Sequence, residues 1–170
     1  MKRIFLGFFL LYCISSTVSG QIMDVELGMP ESEILFYVNP REFNAGFELL
    51  EKHSGKYKFI NKTNEDFDIE ITFKVENQRI TVIDKLYKAD NLQGMETLSG
   101  YYDESVKSWS MKDGFVKNES MRRKVYESFK SYHPKVEVFF DDEDNALYTF
   151  MIYYSGDKLI FTFSERSLLN

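Results

Sequence analysis

The chain has one cysteine, one tryptophan, two histidines and three prolines among 170 residues, and each scarcity closes off a class of protein. With Cys13 alone there is no partner for an internal disulfide and no set of thiolates for a cysteine metal site. His53 and His133 have no second histidine and no carboxylate pair at metal-ligand spacing, so helix-terminal solvation is their ordinary role rather than catalysis. The sequence holds no Gly-x-Ser-x-Gly elbow and no glycine-rich phosphate loop, the signatures of common hydrolases and nucleotide enzymes. It also lacks any apolar run of roughly 20 residues, the length that crosses a bilayer as a helix. No transmembrane span, cofactor or catalytic residue is expected.

What is present first is an address. Lys2 and Arg3 precede an apolar run from Ile4 to Ile14, and Ser15 to Gly20 turn small and polar, with Val18 and Gly20 ahead of a cut before Gln21. That is the pattern of an export signal, so a periplasmic or secreted protein is expected, with residues 1–20 as leader and residues 21–170 as a single domain. Tyr12 stands where a lipid-modification signal needs a small residue, and the mature chain is therefore expected to be soluble. Without the leader's two basic residues the formal charge moves from -6 to about -8. Such a chain repels phosphate backbones, which argues against nucleic acid as a partner. Aromatic residues make up 16% of the chain, ample for a compact core because each ring buries about 150–250 Å².

Periodicity divides the mature chain. Gly28-Met29-Pro30 followed by Glu31 and Glu33 predicts a short helix starting at Pro30, where a missing N–H costs nothing and acids meet the positive helix end. Asn39, Pro40 and Glu42 resemble a second start, with Phe43, Phe47 and Leu50 on one face and Gly55 as terminator. Ile69, Ile71, Phe73 and Val75 alternate with polar residues, and a polar turn at Glu76–Arg79 leads to Ile80–Leu86, an antiparallel hairpin with a short strand at Tyr57–Ile60 before it. Residues 88–117 are the least regular, and a short helix or strand is expected near Glu104–Trp109. Met121, Val125, Phe129 and Tyr132 restore the helical period up to His133-Pro134. Strands at Lys135–Phe140, Ala146–Tyr154 and Lys158–Ser164 follow. The middle one is apolar on both faces and so reads as a central strand, under helices on one side and a partner sheet or binding partner on the other.

Val25-Glu-Leu-Gly-Met-Pro-Glu-Ser-Glu-Ile-Leu35 resembles the opening of small outer-membrane assembly lipoproteins (BamE/SmpA-like) and of the β-lactamase inhibitory proteins. The resemblance implies two short helices running into an antiparallel sheet, and a non-catalytic envelope or secreted binding module. The fold expected is thus α+β: short N-terminal helices and a second helix around residue 125 packed on antiparallel sheet. The order helix, strand, hairpin recurs in residues 21–90 and 115–170, which raises two helix-then-strands subdomains as one arrangement and a single sheet with helices on one face as the other.

Asp141, Asp142, Glu143 and Asp144 form the one sharp polar cluster. The loop lacks the alternating spacing, central glycine and distal glutamate of a helix-loop-helix calcium site. A solvated acidic turn is the ordinary reading, and a weak cation or basic-partner contact the functional one. Asn61 and Asn118 head Asn-x-Ser/Thr sequons. The function expected is that of a binding or assembly module whose partner is another envelope or secreted protein. The alternative is a small secreted hydrolase or ligand-binding enzyme, which would gather acids and tyrosines around a pocket.

Overall fold

The computed structural model describes residues 25–37, 47–61, 66–141, 143 and 145–168. The leader, Cys13 and the start signal at Asn39-Pro40 lie outside them. Helix α1 (Glu31–Tyr37) is followed by strands β1 (Phe47–His53), β2 (Lys56–Asn61), β3 (Asp68–Glu76) and β4 (Arg79–Ala89). Helix α2 (Leu92–Ser110), strand β5 (Phe115–Lys117) and helix α3 (Glu119–Phe129) come next, α3 ending in a tight turn at Lys130–Tyr132. Strands β6 (Lys135–Asp141), β7 (Ala146–Ser155) and β8 (Lys158–Ser167) complete the order.

All eight strands join one antiparallel sheet in the order β1-β2-β3-β4-β8-β7-β6-β5. This overturns the expected α+β class: the architecture is predominantly β, without a helix-then-strands arrangement. The two helix-then-strands subdomains fall with it, because β4 and β8 pair residue for residue from Val82↔Arg166 to Ala89↔Leu159 and carry the sheet through the middle of the chain. The second short helix is corrected as well. Residues 47–53 are a strand paired with β2, from Phe47↔Asn61 to His53↔Lys56, and Gly55 terminates nothing helical. With Ser54 at φ 48° and Gly55 at φ 73° it makes the two-residue turn whose twist suits a hairpin. Helix-forming Glu, Leu and Lys in β1 are overruled by ladder hydrogen bonds that only the tertiary partner supplies.

Helix α2 was masked in the sequence by Gly94 and Gly100. Asn91 caps it by accepting the Gly94 N–H at 2.8 Å, which satisfies one of the orphan donors of a helix start. Gly94 is there for space, since a Cβ at that position would lie 2.0 Å from the Asp66 carbonyl oxygen. Helix α3 follows the sequence reading. Asn118 caps it through the Met121 N–H at 3.0 Å, and His133 closes its last turn in the left-handed region at φ 47°.

The helices cover opposite faces of the sheet. Leu98 and Tyr102 of α2 join Phe59, Phe73, Tyr87, Phe150 and Phe161 on what we term the inner face, each fully buried ring contributing about 1.5–3 kcal/mol. Met121, Val125 and Phe129 of α3 pack on Val136, Val138, Leu147 and Met151 of the outer face. Strand β7 is therefore covered on both sides by helices of its own chain, where a partner had been expected on one. The β2–β4 part of the outer face is charged: Glu70 pairs with Lys58 at 2.6 Å and with Lys88, and Asp84 accepts from Ser164 Oγ at 2.6 Å.

The opening stretch is sewn along the edge of the β3–β4 turn and the start of β4, with Pro30 bridging antiparallel to Arg79. Gly28 N–H donates to the Ile80 carbonyl, Ile80 N–H to that of Met29, and Glu31 N–H to that of Gln78, all at 2.8–2.9 Å. Arg79 Nη1 adds a bond to the Gly28 carbonyl at 2.7 Å. Val25 and Ile34 are buried against the sheet on either side of this seam. It leaves Val25–Gly28 facing the C-terminal end of α2 across a gap.

Candidate functional site: a cleft beside Trp109

That gap is a cleft of about 580 Å³, floored by Ala146, Tyr148, Glu165 and Ser167 and walled by Val25–Gly28 on one side and by Trp109, Lys112 and Phe115 on the other. Local structure puts each group there. Trp109 is on the last turn of α2; Met111 then caps the helix and lets the chain reverse through Gly114, at φ 84°, into β5. Phe115 is thereby returned beside Trp109, their ring centroids 4.7 Å apart at 85°. Tyr148, on the inner face of β7, closes the third side at 4.4 Å from Trp109 and 5.4 Å from Phe115. The three rings are mutually inclined and enclose a corner rather than a stack.

Charge enters at the mouth and the floor. Lys112 Nζ lies 4.3 Å from the Trp109 centroid and 4.8 Å from that of Phe115, within cation–π range of both. Burial pushes the Glu165 carboxyl above the usual carboxylate range; Lys85 draws it part-way back, Glu26 pushes it further up and Lys112 opposes that. Lys85 Nζ is 3.6 Å from Glu165 Oε1 and 5.5 Å from the Phe163 centroid. On the far side of Trp109 it lines a smaller cavity of about 100 Å³ with Tyr87 and Tyr101. The indole is thus a partition between two recesses, with the Lys85–Glu165 ion pair beneath it.

Comparison with family models, with curated proteins and with solved structures finds no match to this chain.

Of the acidic cluster predicted from sequence, Asp141 lies beside this cleft. Asp141 is buried at the end of β6, opposite Phe115 on β5 and Ala146 on β7, and its Oδ1 accepts the Glu143 N–H at 3.0 Å. Glu143 is exposed at the hairpin tip, while Asp142 and Asp144 lie outside the described residues. Asp141 therefore shapes the turn and stands next to the wall of the cleft. Among the described residues no group of three or more His, Cys, Asp or Glu side chains is placed to hold a metal ion. His53 and His133 are both exposed at element ends. Asn118 is engaged as a helix cap and Asn61 is buried in β2.

Sequence reasoning did not single out Trp109, Lys112, Phe115, Tyr148 or Glu165 as a site. The signal available was the only tryptophan of the chain followed by a basic residue three positions on and a Gly-Phe turn. It lay in the segment whose glycines obscured the helix.

Proposed function

We propose that the protein is an exported, non-catalytic binding module of the cell envelope and that its partner, another envelope or secreted protein, is received in the cleft beside Trp109. The observation that carries this reading is the cleft: an open recess walled by three aromatic rings and bearing charges of both signs. Ligand sites combine apolar surface with polar groups that fix orientation, and this cleft supplies both in about equal measure. The export signal supports the location, and the resemblance of Val25–Leu35 to small envelope proteins points the same way. Helix α2 and the sewn Val25–Glu31 segment hold both walls on rigid elements, which favours recognition by a preformed surface.

The test is retention of partners by the mature protein from its own cell envelope, run in parallel with Lys112→Glu at the cleft mouth and Lys74→Glu on the outer face. The expected result is a species held by the wild type and by Lys74→Glu and altered in amount with Lys112→Glu. Retention of nothing, or the same retention by all three proteins, contradicts the reading.

A further inference from the structure

Lys112 occupies a position of particular chemistry. Its ammonium sits at the mouth of the three-ring corner, near the faces of Trp109 and Phe115, and it is borne by an exposed residue on the turn after α2. Glu26 and Glu165 both line the same cleft, and Glu26 and Lys112 each act electrostatically on Glu165. The ring faces and the carboxylates of Glu26 and Glu165 attract a cation and repel an anion here, and the positive charges that answer them are Lys112 at the mouth and Lys85 beside Glu165. The cleft, at about 580 Å³, has room for far more than one ammonium. Lys112 is the chain's own occupant of a cation place.

We propose that the cleft receives a lysine side chain of the partner protein, and that Lys112 stands in for it until the partner arrives. The inference rests on the reading of the cleft as the binding surface and adds the group that is recognised. The acidity of the chain, -6 overall, complements a basic partner and would speed the encounter.

Trp109 is the only tryptophan, so its emission reports the cleft and the smaller recess behind the indole, and the Lys112 and Glu26 variants assign the change to the cleft. The mature protein is titrated with Nα-acetyl-lysine amide, with the uncharged isostere Nα-acetyl-norleucine amide, and with choline. The expected result is a saturable change with the lysine derivative, none with the norleucine derivative, and a weaker response to choline. Lys112→Ala, which removes the internal competitor, tightens lysine binding by roughly 2–5-fold, the size of one exposed cation–π contact. Glu26→Gln, at another exposed position, weakens it. Equal responses to the lysine and norleucine derivatives, a stronger response to choline, or no response in wild type and Lys112→Ala alike overturns the proposal. If partner retention still depends on position 112 in that event, the binding reading stands and only the lysine is wrong.

Discussion

Two glycines of helix α2 show how one residue type carries opposite meanings. At Gly94 an added Cβ would lie 2.0 Å from the Asp66 carbonyl oxygen, whereas at Gly100 nothing lies within 4 Å. Gly94→Ala must push the Asp66–Phe67 segment away from the helix and is expected to destabilise by about 1–3 kcal/mol, as overpacking does. Gly100→Ala only restores helix propensity and is expected to stabilise by about 0.5–1 kcal/mol. Urea denaturation of the two variants checks the signs. Both glycines read the same in the sequence, as interruptions. Only Asp66, a tertiary neighbour that no local window contains, distinguishes them.

At the scale of elements, the opening segment behaves as a clasp whose side-chain pin is the Tyr57 hydroxyl donating to Glu31. Burial, then the bond to Glu31 and its negative charge, push the Tyr57 phenol up to about 12 from an ordinary 10.0. Between those values the folded chain keeps a proton that the unfolded chain has lost. The stabilisation is therefore complete below pH 10 and is lost as pH rises through about 12. Tyr57→Phe lacks this term. The stability difference between wild type and variant is expected to be constant at lower pH and to shrink across that alkaline window, measured by denaturant midpoints. The difference is the useful quantity, because Tyr87 and Tyr102 are also raised by burial and are common to both proteins.

The same elements show what the sequence could disclose. Strand β3 and helix α3 were legible because their apolar residues keep one period, β7 because it is a long apolar run, and β4, β6 and β8 because short apolar stretches are bounded by turn residues. Strand β1 was misread because Phe-Glu-Leu-Leu-Glu-Lys-His has a helical composition and gains its strand state only by pairing with β2. The double cover of β7 was half legible: its two apolar faces announced two partners. That the second partner is α3 of the same chain, crossing to the outer face after β5, depends on a connection path that composition does not encode. No residue of the cleft was singled out as a site in the sequence; Asp141 stands only beside its wall, opposite Phe115 and Ala146. The cleft is assembled from Val25–Gly28, Trp109–Phe115, Tyr148 and Glu165, and side chains so far apart in the chain converge only through the sheet order.

For the whole molecule, the continuous sheet sets two candidate surfaces against each other. On the inner face the covers formed by the opening segment and by α2 stop short of one another and leave the cleft. On the outer face α3 covers β6 and β7, and the β2–β4 region carries the Lys58–Glu70–Lys88 pairs. Burial alone would raise Glu70, but the hydrogen bonds and charges of the two lysines hold its carboxyl below its ordinary value. There Glu70 is answered by two lysines of the same face, while the cleft has a lysine over two rings and a carboxyl kept high by burial. The claim that follows is that partners are received at the cleft. Amide hydrogen exchange of residues 21–170, alone and with the species retained, is the measurement that decides it. Slowed exchange is expected at Leu27–Gly28, Met111–Phe115 and the neighbouring ends of β7 and β8, with β1–β3 unchanged; slowed exchange confined to β1–β3, with the cleft segments unaffected, overturns it.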